Sequence, residues 1–434
     1  MHHREDMSPS WINVVRAAAT RVMPMLPEWA QCDVEEMVEL ACRVNVNAHG
    51  LRDDSGSNCI IGVGVFPLTA MINHSCRPNC TFAYYGKLTL AVRAMQPVPT
   101  GTELTLYYID LLQSTAERRR ELLTSKHFWC GCYRCETPEP GDANLDGVCC
   151  SDCGRDGCLT PIPPRNPEEA VTAQLALLGV DSSAGKQVRG RSKRNQNGRR
   201  SSGADAGKSP FAGSGQISAG SVTPDPGNRE GVNSIEVGNV LFCPSCGRDY
   251  QASVVEEAVA RAKAARDAAM AVLRVKDFLA ARKMLEKWLQ DYDAGSATPL
   301  AASSRKPVRR GSLKLHPMHA TVVQTLVPLA NCCNFEGDYS TSAEYLRRAI
   351  SAMEAIYPPN FPELGDFHAA LAGALASFLE KRGQTLPRRI RDQAVSERKT
   401  SLSRAVAIRS VCLGEHHPTA EEARRALALT CSVL

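Results

Sequence analysis

Cys130, Cys132 and Cys135 place three thiols within six positions. A structural zinc takes four thiolate or imidazole ligands at about 2.3 Å for Zn–S, so this run alone cannot close a tetrahedral site and needs a fourth ligand from elsewhere in the chain. Two further pairs, Cys150-x2-Cys153 and Cys243-x2-Cys246, are each followed by Gly and have the spacing of the two knuckles of a zinc ribbon. Cys149 and Cys158 are spare candidates for the first knuckle. The roughly 90 residues between the pairs are tolerable, because loop-closure entropy grows only with the logarithm of length. Eighteen cysteines follow a start, MHHREDMSPSWINVV, that has no signal-peptide pattern, which points to reduced thiols and metal binding and to the cytosol or nucleus. Cys332, Cys333, Cys412 and Cys431 fall on helical faces and read as core.

The richest polar stretch is Asn73-His74-Ser75-Cys76-Arg77-Pro78-Asn79-Cys80, preceded by IGVGVFPLTAMI and followed at residue 101 by GTELTLYYID. Together with Cys130-x-Cys132-x2-Cys135, and in order from about Leu40 to Cys135, it resembles the SET and post-SET pattern, more narrowly that of the SET-and-MYND (SMYD) protein lysine methyltransferases. The resemblance implies S-adenosyl-L-methionine as cofactor and a lysine-bearing protein, histone or non-histone, as substrate. It supplies Cys76 as the fourth ligand beside Cys130, Cys132 and Cys135, and it places Asn73 and His74 on the cofactor, Phe128 against its adenine and Tyr108 at the transferring methyl. It also marks departures. Lys126 stands where the family has a second channel aromatic, so substrate choice and the number of methyls are open. The family's Gly-x-Gly cofactor loop and MYND finger are not visible before residue 40, and Gly62-Val63-Gly64 matches a different strand. The expectation is a truncated chain with weak cofactor binding; the alternative is a non-enzymatic, zinc-containing adaptor on a degenerate SET domain.

The elements that must position these residues are legible from pattern. Trp11, Val14, Val15, Ala18 and Val22, then Val34, Met37, Val38 and Ala41, have helical spacing on either side of Pro24 and Pro27. Ile60 to Phe66, Thr81 to Tyr85, Leu88 to Val92 and Glu103 to Tyr108 read as short strands separated by turns such as Tyr85-Gly86-Lys87, with Tyr107 on the opposite strand face from Tyr108. After Tyr250 the chain is helical apart from a loop over 292 to 315. The stretch from Thr321 through Gly337-Asp338-Tyr339 to Ala349 resembles a tetratricopeptide (TPR) unit, echoed upstream by Lys276-Asp277-Phe278. His316-Pro317, Phe361-Pro362 and His417-Pro418 start units 45 and 56 residues apart, which suits irregular helix pairs.

The formal charge of +5 is misleading, because residues 186 to 210 hold eight Lys or Arg against one Asp, leaving −2 for everything else. A nucleic-acid face on the folded part is therefore not implied, and nucleic acid is expected, if at all, only through the basic run Val188 to Arg194, which also suits a nuclear localisation signal. Arg309-Arg310-Gly311-Ser312 has the form of a basophilic kinase site. No apolar run is long enough to span a bilayer. The fold expected is α+β: a partial SET-type β domain over 1–112, a zinc-bearing segment over 113–160, a disordered basic insertion over 161–235, a second knuckle over 236–250, and TPR-like helices over 251–434 that offer peptide partners a groove.

Overall fold

Ser8 begins the first helix by accepting a hydrogen bond from the Trp11 amide, with Pro9 in the first turn, where a missing N–H costs nothing. In the computed structural model this helix, α1, runs Pro9–Val22, and α2, Val34–Asn47, starts from a capping box of Asp33 and Glu36. The structure describes residues 3–52, 60–85, 89–137, 140–160, 166–168, 240–295 and 313–432, which belong to one compact unit. The expected insertion (apart from 166–168), the basic run Val188 to Arg194, the Gly86-Lys87 turn and the Arg309 to Ser312 motif lie outside the described residues. The pattern of α1 gives the helix but not its buried face: Val14 is 69% exposed, and burial falls on Ala19, Val38 and Cys42 where the two helices meet.

Short strands follow. Antiparallel β1, Ala48–Arg52, and β2, Ile60–Val65, form one ribbon, and β4, Cys80–Tyr85, with β5, Thr89–Ala94, form another. Between them β3, Asn73–His74, runs parallel to β6, Thr105–Leu106, so the polar segment lies directly beside the strand that leads into Tyr107 and Tyr108. The expected strand over Glu103 to Tyr108 is thus only two residues long. The Asn79 side chain does the work of the missing ladder, donating to the Glu103 carbonyl and accepting from the Thr105 amide, each at 2.8 Å.

Helix α3, Thr115–Lys126, has a Ser114/Glu117 capping box and ends on His127 in the left-handed region (φ 61°). Short helices α4, Tyr133–Glu136, and α5, Pro140–Asn144, lead to a three-stranded sheet. Its order is β11, Lys314–Leu315, then β7, Val148–Cys150, then β8, Gly154–Leu159. A separate hairpin, β9, Val240–Phe242, with β10, Asp249–Gln251, opens into α6, Ala252–Arg274.

The helical part pairs α6 with α7, Phe278–Tyr292, and α8, Ala320–Phe335, with α9, Tyr339–Glu354. Both turns share one local solution: a residue at positive φ (Lys276, 65°; Gly337, 75°), then an Asp whose side chain caps the next helix (Asp277, Asp338), then an aromatic. The upstream echo in the sequence is therefore a repeated turn. Helices α10, Pro362–Arg382, α11, Arg388–Leu413, and α12, Pro418–Ser432, continue the array, and Pro362 and Pro418 each stand at a helix start. Cys332, Cys333 and Cys412 are fully buried, as expected, but Cys431, on the last helix among the described residues, is exposed.

One hydrophobic cluster runs from Cys76, Met95 and Leu111 through Leu145 and Leu315 to Leu326 and Phe361, so the β part and the helices share a core. The Asn360 side chain donates to the Met95 carbonyl at 2.8 Å, and Tyr107 packs on Phe361 with ring centroids 5.0 Å apart.

His319 caps α8 from a position only 2% exposed, its Nδ1 accepting from the Thr321 amide at 3.1 Å. Burial, helped by Lys263, pushes its pKa down to about 3 from 6.5. The folded chain thus stays neutral there while an unfolded histidine protonates near 6.5, so stability falls as the pH drops through that window. Asp146, pushed up to about 6 by burial and Glu117, acts in the opposite sense between 3.8 and 6. His319→Asn keeps a cap acceptor without the titration. Denaturant midpoints at pH 7 and pH 5 are expected to show the variant losing about 2 kcal/mol less than the parent chain over that interval; equal losses would contradict it.

Candidate functional site

The parallel β3/β6 pairing fixes His74 next to Tyr108, and the imidazole is used at both nitrogens. Its Nδ1 accepts from the Tyr108 amide at 3.0 Å, and its Nε2 faces the Cys76 sulfur at 3.2 Å. The ring is 5.3 Å from Tyr108 and 6.1 Å from Phe128, centroid to centroid. Burial holds it well below the ordinary imidazole range, at about 4, which makes it neutral, with the proton on Nε2 and directed at sulfur. Tyr108 donates its hydroxyl to the Ile72 carbonyl at 2.5 Å, so its oxygen keeps lone pairs for a further contact. Burial raises its pKa and keeps the phenol protonated.

Asn73 is exposed, and its amide donates to Glu103 Oε1 at 2.7 Å. Phe128 follows the left-handed His127, which turns the chain off α3 and brings the ring beside His74 and Tyr108. Both neighbours meet it tilted or edge-on, at 55° and 90°.

Lys126 and His49 complete the surroundings. Lys126 Nζ donates to the Val46 carbonyl at 3.0 Å and stands 5.8 Å from the Tyr108 ring centre, its pKa lowered by burial. His49 meets Phe66 and Phe82 edge-on and leaves Nδ1 buried with no hydrogen-bond partner among the described residues. His49 was not legible in the sequence, where a lone histidine between a helix and a strand gives no signal. Tyr107, on the other face, stacks on Phe82 at 6.0 Å.

The structure brings Cys76, Cys130, Cys132 and Cys135 together, all four sulfurs within 4.8 Å of one another. Cys76 Sγ is 3.9 Å from Cys130 Sγ and 3.5 Å from Cys135 Sγ, close to the roughly 3.8 Å edge of a tetrahedron with Zn–S near 2.3 Å. The charges around them suit a metal. Arg118 and Arg134, 0% and 3% exposed, share the single carboxylate of Asp142, leaving one buried positive charge in excess. Arg118 Nη2 lies 3.8 Å from Cys135 Sγ, and Arg134 also donates to the carbonyls of Cys76 and Leu111. Four thiolates around a divalent ion carry a formal charge of −2, which would offset that excess; four neutral thiols would not. The arginines were not foreseeable, since nothing in RRRELL marks one guanidinium as buried.

Cys150, Cys153, Cys243 and Cys246 also converge, their sulfurs within the same 4.8 Å. Cys149 and Cys158 stay out of the cluster, paired across β7 and β8.

Residues 17–109 match the family model of the SET domain. A SET domain-containing protein of Drosophila melanogaster, SmydA-8 isoform B, is 33% identical over 124 residues, covering 29% of this chain and 28% of the relative. Human histone-lysine N-methyltransferase SMYD3 is 39% identical over 87 residues, 20% of each chain, and human N-lysine methyltransferase SMYD2 is 37% identical over 114, 26% of each. Residues 17–109 carry a SET domain, and this part of the chain is similar to SMYD proteins. Its matches span 20% to 28% of the length of these relatives. The SET domain contributes Asn73, His74, Cys76 and Tyr108, while Phe128 and the other three thiols of the first cluster follow its matched segment. A solved structure of kinesin light chain TPR-like repeats from Podosopora anserina covers 40% of this chain and 86% of its own at 16% identity, but with a TM-score of 0.18 it carries no weight for the fold.

Proposed function

We propose that this protein is an S-adenosylmethionine-dependent protein-lysine N-methyltransferase whose post-SET segment is held closed by zinc. The observation that carries the reading is the single imidazole of His74, which touches the Tyr108 backbone, the Cys76 sulfur and the neighbourhood of Phe128 at once. S-adenosylmethionine, when bound, would supply an electrophilic sulfonium methyl group that a neutral lysine amine attacks, the C–S bond breaking to release S-adenosylhomocysteine and the amine then losing a proton. Asn73, His74 and Phe128 would hold this cofactor, with Phe128 beside His74 as the aromatic group for its adenine. Tyr108 orients the amine and offers oxygen lone pairs to the polarised methyl, an electrostatic and positioning role. Cys76, Cys130, Cys132 and Cys135 would hold the zinc, whose part is to keep Phe128 and the post-SET helices beside β3. A protein bearing a lysine is the substrate.

Irradiating the protein, isolated from its own cells, with methyl-labelled S-adenosylmethionine tests this cofactor assignment. Label is expected in the peptides containing His74 or Phe128. Labelled peptides drawn only from the helices after residue 251 would reject the assignment.

Lys126 sets a limit on this site. Its cation lies over the Tyr108 ring, where an ammonium would otherwise gain cation–π attraction, so a methylated lysine cation is repelled. The expected product is monomethyl-lysine. Lys126→Phe is expected to raise the share of di- and trimethyl product, read by intact-peptide mass spectrometry; an unchanged product distribution would contradict this role.

A further inference from the structure

The second cysteine cluster lies outside the matched SET segment, and the methyl-transfer reading makes no use of it. Its two halves are built alike. Cys150-Ser151-Asp152-Cys153-Gly154 and Cys243-Pro244-Ser245-Cys246-Gly247 each end on a glycine at positive φ, 61° and 71°. In the second, the Gly247 amide donates to the Cys243 carbonyl at 2.8 Å and the Cys243 amide to the Arg248 carbonyl at 2.9 Å, closing a tight knuckle. The knuckles face each other. Cys150 Sγ is 3.8 Å from Cys246 Sγ and Cys153 Sγ is 3.8 Å from Cys243 Sγ, almost twice a disulfide bond and equal to the edge expected of a tetrahedral zinc thiolate. The Tyr250 hydroxyl accepts from the Ser151 amide at 3.1 Å and lies 3.1 Å from the Cys150 sulfur, and Arg248 pairs with Asp152 at 2.8 Å.

What the cluster joins gives it a purpose. Strand β7 belongs to the sheet with β8 and β11, whereas β9 and β10 form their own hairpin, and no strand pairing among the described residues links the two. The second hairpin passes directly into α6, whose Lys263 reaches Glu117 of α3 at 2.7 Å and whose Ala262 carbonyl accepts from Trp288 Nε1 at 2.7 Å. The two hairpins meet through the Tyr250 hydroxyl, the Arg248 guanidinium and four sulfurs, and small sheets joined in this way are commonly tied by a metal.

We propose that Cys150, Cys153, Cys243 and Cys246 bind a second zinc ion in a closed, four-thiolate structural site that fixes the head of α6 against the α3 side of the protein. Four sulfur ligands leave no open position, so this ion takes no part in methyl transfer. The site is independent of the Cys76 cluster, and the two are separable by variant.

Metal analysis of the 434-residue chain purified without chelator is expected to give two zinc equivalents. Cys246→Ser, at the exposed ligand, is expected to leave one, Cys132→Ser to leave the other, and Cys158→Ser, beside the cluster but outside it, to leave both. A Cys246→Ser chain that retains both equivalents would overturn the proposal. So would a wild-type chain whose only zinc disappears with Cys132→Ser. Should the Cys246 variant not fold, the wild-type chain decides: alkylation of the exposed Cys246 thiol is expected to accelerate roughly tenfold or more when the zinc is chelated, since a metal-bound thiolate is shielded from attack. An alkylation rate at Cys246 that is the same with and without chelator would equally overturn it.

Discussion

Tyr108→Phe is expected to lower turnover roughly 100-fold while leaving cofactor affinity nearly unchanged, on the scale found when one positioned polar group is removed from a reacting centre. The ring should stay in place, because the Tyr108 backbone amide is held by His74 Nδ1 at 3.0 Å and the ring lies against His74 and Phe128. What is lost is the oxygen that is now fixed by its donation to the Ile72 carbonyl at 2.5 Å. That carbonyl loses its partner, at a cost of about 1 kcal/mol in stability, too little to explain a loss of activity by unfolding. Steady-state kinetics and cofactor titration on the same preparation separate the two effects. A variant whose KM for cofactor rises while kcat holds would place Tyr108 on the cofactor and not on the methyl.

Cys132→Ser is the second large effect. The Cys132 sulfur is one of the four in the first cluster and also accepts from the Cys76 amide at 3.4 Å. Without it the zinc is expected to leave. The excess positive charge of Arg118 and Arg134 around Asp142 then loses the anionic centre that offsets it. The expected cost is on the order of several kcal/mol, enough to release the segment from Cys130 to Asn144 and with it Phe128. Hydrogen exchange is expected to show amides of residues 128–136 losing protection first. Uniform loss over the helices instead would mean that the cluster stabilises the whole chain and not the post-SET segment.

The sites were legible where chemistry constrains spacing. Three clustered thiols demanded a fourth ligand, the family resemblance named Cys76, and the structure brings its sulfur to the other three; both knuckle pairs came together although about 90 residues separate them. The helix starts follow local chemistry too, since Ser8, Asp33, Ser114 and Asp338 each satisfy specific orphan amides, but apolar spacing and not these caps marked the helices in the sequence, and none was expected over Thr115–Lys126. Other features depended on tertiary contacts that no local pattern encodes. Arg118 is as buried as any leucine, yet its neighbours Arg119 and Arg120 look identical in sequence; only the fold puts Asp142 beside it. The strand through Glu103 shortened to two residues because Asn79 took over its backbone groups. His49 and Lys126 reached the Tyr108 neighbourhood from separate elements, one after α2 and one at the end of α3.

The central claim, methyl transfer to lysine, is tested most directly by incubating the isolated protein with methyl-labelled S-adenosylmethionine and protein substrates and sequencing the products by tandem mass spectrometry. The account predicts label on lysine ε-nitrogens, predominantly as monomethyl-lysine, and little label when Tyr108 is replaced by Phe. Label on arginine or histidine, or no transfer by a protein that demonstrably binds the cofactor, would contradict it.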